Sequence, residues 1–146
     1  MNVSLSLILE NSFLKSNINT KYLFTPDEKK IFWNEKLKNN KKKKIAFTWK
    51  SKFPNITHFK RSTDFNYFYE LAKSFPNIDF ISIQKGYFEK EFHNNDKLEN
   101  IFNFADEIND FTDTAGILEN VDILISVDSA VIHLAGALNK EVITIL

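Results

Sequence analysis

The sequence contains no cysteine. Disulfides and thiolate metal sites are therefore excluded, and a reducing compartment suits the chain, so a cytoplasmic location is the expectation. Glycine and proline are scarce, with three of each among 146 residues. No G-x-G-x-x-G follows any strand candidate, which argues against a dinucleotide-dependent oxidoreductase. Net charge is missing too: 19 basic and 19 acidic side chains cancel, leaving no global field to attract nucleic acid or an anionic membrane. No run approaches the ~20 apolar residues of a membrane-spanning helix. The opening MNVSLSLILENS has neither a basic start nor a small-residue cleavage site. What is present, 43% hydrophobic and 26% charged residues, is the composition of a soluble globular protein. A chain of 146 residues is long enough for one domain with a sizeable core and too short for two full ones.

The most informative stretch is Asp122 to Leu146, DILISVDSAVIHLAGALNKEVITIL. Ile123 to Val127 is a short β-branched and aliphatic run of the kind that fills a parallel sheet. Asp128 is expected to cap a new helix, with Ser129 in its first turn. From Ala130 to Leu138 nearly every residue is small or apolar, so this helix should lie against the sheet with no wide solvent face. Asn139 and Lys140 end it, and Glu141 to Leu146 reads as a second buried strand. So short a crossover implies a right-handed βαβ unit. Its helix N-terminus, at the carboxyl end of a parallel strand, directs unpaired N–H groups at an arriving anion. His133, four residues after Ser129, projects on the same face.

Upstream, Ser4 to Leu9 reads as a short extended piece. Thr25-Pro26-Asp27-Glu28 has the form of a helix start, with Thr25 as cap, Pro26 at the first position and Ile31, Phe32 or Trp33, and Leu37 facing inward. Lys38 to Lys44 is a polar linker whose lysines read better as a solvated hinge than as a phosphate site. Ile45 to Trp49 is the first strong strand. A polar loop to Ser62 follows, carrying Lys50, Lys52, His58, Lys60 and Arg61, and its place after a parallel strand marks it as a binding loop. Asp64 to Phe75 makes an amphipathic helix capped by Thr63 or Asp64, with Phe65, Phe68, Leu71, Ala72 and Phe75 inward. Ile78 to Ile83 is the next strand, followed directly by Gln84-Lys85-Gly86, where glycine permits close backbone approach and lysine meets a phosphate. Tyr87 to Phe92 reads as a helix, His93 to Asn100 as a polar connection and Ile101 to Phe104 as a short strand. A short helix capped from Asp110 to Thr114 then runs to Leu118. The alternation implies an α/β fold, an open doubly wound parallel sheet of about five strands.

Laid out in this way, IAFTW at 45–49, RST at 61–63, FISIQKG at 80–86 and DFTDTAGILENVDILISVDSAVIHLAGALNKEVITIL at 110–146 resemble the C-terminal domain of GT-B glycosyltransferases. The family 9, heptosyltransferase-like, enzymes and the related domains fused to tetratricopeptide repeats are the most similar. VDSAVIHLAGAL is the specific part, an Asp-Ser/Thr-small-x-x-His-Leu pattern on a strand-to-helix turn. The resemblance implies a Rossmann-like half of a GT-B fold over residues 44–146, C-terminally truncated. Residues 1–43 would be a remnant of, or connection to, a missing acceptor-binding domain or helical-repeat region. It also implies a nucleoside-diphosphate sugar as substrate, without cofactor or metal. Asp128 and Ser129 would contact the donor's sugar or phosphate, with Ser129 replacing the commoner Thr and Ala130 standing where the family has Gly or Ala. His133 would lie near the diphosphate, and Lys85 or Arg61 would supply positive charge to the leaving nucleotide. The general base would belong to the missing domain. One departure is Lys50-Ser51-Lys52, where relatives carry a Ser-Gly-like phosphate loop.

Each residue also has a plainer reading. Asp128 is a cap, Ser129 satisfies its own backbone, His133 is a core histidine, Lys85 is an exposed lysine and Arg61 covers apolar surface with its stem. His58 and His93 read as surface residues, Trp49 as core rather than a base-stacking platform, and Asp110 with Asp113 as helix caps rather than a metal pair. The rival to an enzyme is a non-catalytic binding module that keeps the half-fold. A final strand without a covering helix after it should leave apolar surface exposed.

Overall fold

Five apolar runs become five parallel strands. In the computed structural model, residues 21–38, 41–51, 62–94 and 98–145 are described, and the expectations for 1–20 and for Lys52, His58, Lys60 and Arg61 lie outside them. The elements are α1 (Asp27–Leu37), β1 (Lys43–Thr48), α2 (Phe65–Ser74), β2 (Ile78–Ser82), a 3₁₀ segment (Tyr87–Asn94) and β3 (Ile101–Asn103). A 3₁₀ turn (Ala105–Glu107), α3 (Phe111–Glu119), β4 (Ile123–Val127), α4 (Ala130–Ala137) and β5 (Glu141–Ile145) complete them. Sheet order is β3-β2-β1-β4-β5, every pairing parallel, as the Rossmann-like half-fold requires. Among the described residues no helix is long and apolar enough to cross a membrane.

Alternation along the strands divides the core in two. Ala46, Ile81 and Leu124 face a layer of α1, α3 and α4, where Trp33, Leu37, Ile117, Leu118, Ala135 and Leu138 are buried. Phe47 and Phe80 face α2 and the 3₁₀ segment, meeting Trp49, Phe65, Phe68 and Ala72. Aromatic stacking reinforces this second layer, with the Phe47 and Phe68 rings 4.6 Å apart. Trp49 is fully buried, so the core reading of that residue holds.

Several local expectations shift. Pro26, not Thr25, is the N-cap of α1, because the Thr25 hydroxyl turns to Glu119 at 3.3 Å. Ile31 and Phe32 are exposed while Trp33 is buried, since α1 docks through one narrow stripe. The helix expected from Tyr87 is present, wound as 3₁₀ and running two residues further, to Asn94. Leu71 is half-buried and Phe75 half-exposed at the inner face of α2. β5 is a strand but not a buried one: at the sheet edge, with no helix over its α2-side face, Ile143 is 50% exposed. α4 also has an open stripe, formed by Ala130, His133 and Gly136.

The docking of α1 on α3 rests on Asp113, which is buried and caps nothing, unlike Asp110, whose carboxylate accepts from the Thr112 and Asp113 N–H groups. Lys29 Nζ at 2.7 Å and Trp33 Nε1 at 3.1 Å donate to Asp113 Oδ1, and the Asn109 N–H at 3.1 Å donates to Oδ2. Burial opposes ionisation of this carboxyl, yet the Lys29, Asn109 and Trp33 donors outweigh it and lower the pKa from 3.8 to about 2. The native state therefore binds fewer protons than the unfolded chain between these values. The site's stability is complete above the unfolded pKa and is lost as pH falls through about 2. Urea titrations at pH 6 and pH 2 should show the parent losing about 2 kcal/mol more than Asp113→Asn; equal losses would contradict the assignment. Close approach at Gly116 is the steric half of the same contact, since a Cβ there would lie 2.5 Å from Trp33 Cδ1 and 2.9 Å from the Lys29 carbonyl oxygen. Gly116→Ala should lower stability by about 1–3 kcal/mol. Gly136→Ala, with nothing within 4 Å of the added carbon, should leave the melting temperature unchanged or raise it.

Candidate functional site

Strand order reverses direction between β1 and β4. From β1 the chain moves outward through α2 to β2, and from β4 it moves the other way through α4 to β5. Right-handed crossovers then place α2 and α4 on opposite faces, as the two core layers show. The carboxyl ends of β1 and β4 are thus the switch point of the sheet, the place where open α/β sheets bind ligands.

Hydroxyl groups gather at this switch point. Thr48 and Ser126 are partners across the β1–β4 ladder, both buried, and their hydroxyl oxygens lie 2.6 Å apart. Ser126 Oγ donates to the Val127 carbonyl at 2.8 Å, and Ser129 Oγ stands 3.2 Å from it. A serine has one proton. With that proton on Val127, Thr48 and Ser129 both donate to Ser126, which leaves Ser129 to meet a ligand as an acceptor.

This inward pull explains a correction at the helix start. The N-cap position of α4 is Ser129, not Asp128, with extended backbone and no capping bond from its side chain. Asp128 sits half-buried in the turn just before it. His133 is exposed in the first turns of α4, which rules out the core-histidine reading. The helix closes as Asn139 takes a left-handed conformation at φ 58°, with Lys140 N–H bonding the Ala135 carbonyl at 2.9 Å and Asn139 N–H the Gly136 carbonyl at 3.0 Å.

On the other side of β1, Gln84 is buried. Its Oε1 accepts the Trp49 and Lys50 N–H groups at 3.1 and 3.0 Å. Its Nε2 donates to the Lys50 and Lys85 carbonyls at 3.1 and 3.2 Å. Glu91 takes the Trp49 indole N–H at 2.7 Å and the Lys50 ammonium, which also lies 4.6 Å from the Phe88 ring centre. Lys85 reaches the Ala105 carbonyl at 2.5 Å and Glu89 at 3.9 Å. Its ammonium is thus directed to the loop after β3, on the side of β2 away from β4. The structure brings Ser129 together with Thr48 and Ser126, whereas Lys85 stands apart from that group and Arg61 is outside the described residues.

Sequence reasoning passed over Thr48, Ser126 and Gln84. Their signal is a polar residue at or just past the end of an apolar strand, where only a ligand or a neighbouring loop can use it. Elsewhere, a cavity of about 410 Å³ lies between α1 and the start of α3, lined by Glu28, Lys29, Phe32, Glu107, Asn109 and Asp113. Its three carboxylates against one ammonium make it unsuited to an anion.

Comparison with known proteins agrees with this architecture. Residues 36–146 match the family described as glycosyltransferase family 9 (heptosyltransferase). Among solved structures, the chain is similar to the E. coli ADP-heptose lps heptosyltransferase II, with a TM-score of 0.64 and 15% identity over 84% of this chain and 38% of that one. A beta Kdo 2,4 transferase, KpsC of Thermosulfurimonas dismutans, gives a TM-score of 0.49 and 11% identity over 88% of this chain and 49% of that one. This chain thus spans less than half the length of either. No curated protein sequence matches it.

The buried hydroxyl pair makes a measurable claim. Removing one member leaves the other unpaired, so Thr48→Val and Ser126→Ala should each destabilise by about 1–3 kcal/mol. The double variant should cost about 1 kcal/mol less than the sum. Strict additivity in urea unfolding would mean that the two hydroxyls do not interact.

Proposed function

The chain belongs to glycosyltransferase family 9, and from that premise we propose that it is the donor-binding half of a metal-independent transferase acting on a nucleoside-diphosphate sugar. One observation carries the reading: the Asp128–His133 turn lies at the carboxyl end of β4, beside β1, where the strand order reverses. The α4 N-terminus contributes oriented N–H groups and a partial positive charge, and exposed His133 adds a donor on the same helix. Ser129, its proton given to Ser126, suits a sugar hydroxyl better than a phosphate oxygen. Asp128 is an acceptor of the same kind.

In the complete enzyme a base on the acceptor-binding domain takes the proton of the acceptor hydroxyl. That oxygen attacks the anomeric carbon, and the bond to the diphosphate breaks. This domain's part is to offset the charge growing on the leaving diphosphate, with Arg61 as the added cation, or Lys85 once its ammonium leaves the Ala105 carbonyl. A second reading, a binding module without transfer, draws support from Lys50 and Lys85, whose ammonium groups already have protein partners.

Calorimetry and thermal shift with ADP, GDP, UDP and their sugars test the proposal; the relative named for ADP-heptose makes ADP the first probe. A nucleoside diphosphate should bind and raise the melting temperature, equally with and without a chelator. His133→Ala should weaken it roughly ten- to a hundredfold, a contact of about 1.5–3 kcal/mol, with the fold's stability unchanged. Binding at the parent's affinity in that variant would remove the donor assignment.

A further inference from the structure

Gln84 has no part in the chemistry above, yet its carboxamide is fully hydrogen-bonded at the ends of β1 and β2. It is 3% exposed, and both acceptor and both donor positions are filled, by the Trp49 and Lys50 N–H groups and the Lys50 and Lys85 carbonyls. All four partners belong to the backbone just past β1 and β2, so one side chain fastens two loops that no ladder bond joins. The same contacts consume the Trp49 and Lys50 N–H groups, the ones that a phosphate would meet where the chain leaves β1. Of the described backbone leaving β1 and β4, the β4–α4 turn is therefore the better placed for an anion.

We infer that Gln84 is a positioning residue for the donor site: its buried carboxamide fixes Trp49 and Lys50 where the chain leaves β1, the strand paired with the β4 end that carries Asp128 and Ser129. The inference rests on the donor reading for its functional half. Its structural half stands alone, because all four contacts are made within the chain itself. Glu91 supports the brace from outside by holding the Trp49 indole and the Lys50 ammonium.

Two variants test it. Gln84→Met keeps length and volume and deletes the four contacts; Gln84→Glu keeps the acceptor pair and sets an oxygen against the Lys50 and Lys85 carbonyls. In the ligand-free protein, amide exchange at Trp49 and Lys50 should rise roughly tenfold or more in both variants, while Ile81 and Leu124 keep the parent's protection. The dissociation constant for ADP, or for whichever nucleoside diphosphate the parent binds best, should rise roughly tenfold. A merely structural Gln84 predicts a lower melting temperature with the parent's affinity retained well below it, and that result overturns the inference. If Gln84→Met fails to fold, Gln84→Glu decides between the same two outcomes. If the parent binds no nucleoside diphosphate, the donor reading falls by itself, and unchanged exchange at Trp49 and Lys50 would then overturn the brace as well.

Discussion

The parallel seam between β1 and β4 is the contact on which the rest of the structure depends. At its start Asp122 accepts both Lys43 Nζ and the Lys44 N–H at 2.8 Å, and returns its own N–H to the Lys44 carbonyl at 2.9 Å. At its end Thr48 meets Ser126. Between these polar ends the ladder runs from Ile45 with Ile123 to Phe47 with Ile125. A one-residue slip would send Ala46 and Phe47 to each other's faces, placing a ring where α3 and α4 leave room for a methyl. The polar ends therefore fix the register, and the register fixes which core each helix meets. Because strand order reverses at this seam, the same contact that centres the sheet also sends the two crossovers apart, at the place where open α/β sheets bind ligands.

Much of this was legible in the sequence, because strand periodicity and turn residues act locally. Ile45 to Thr48, Ile78 to Ser82 and Ile123 to Val127 are predominantly aliphatic and aromatic runs, interrupted only by Thr48, Asp79, Ser82 and Ser126, and a sheet covered on both faces accommodates them. Asp64 and Asp110 announce their helices by offering an oxygen two or three residues ahead. What depends on distant partners was not legible. Asp113 has the spacing of a cap, but Lys29 and Trp33, more than seventy residues earlier in the chain, take its carboxylate instead. Likewise EVITI has the composition of a central strand, and only its place at the sheet edge exposes Ile143.

For the site, the pattern VDSAVIHLAGAL was enough to locate the strand-to-helix turn and to put His133 on the helix that begins there. It was not enough to say which residue caps the helix, since that depends on where Ser129 finds a partner. The partner is Ser126, which reads in sequence as one small residue in a greasy strand. Gln84 was hidden for a related reason: beside Lys85 and Gly86 the cation and the glycine attract notice, whereas the amide's value appears only when the β1 loop is folded beside it. Lys85, the cation that drew attention, is turned toward Ala105.

The α1–α3 docking has a consequence for how the chain is made. Lys29 and Trp33 wait for Asp113, partners 84 and 80 positions away, and Thr48 waits for Ser126 at a separation of 78. A chain leaving the ribosome from its N-terminus forms β1 and β2 early, while the Trp33 indole and the open edge of β1 remain uncovered. Both are closed by one stretch, 111–127, which carries α3 and β4 in succession. Until it emerges, the nascent chain presents one open edge of a central strand, a feature prone to wrong pairing. Its arrival satisfies the strand edge and the indole together, so a stretch translated late is the one that makes the early part of the sheet safe.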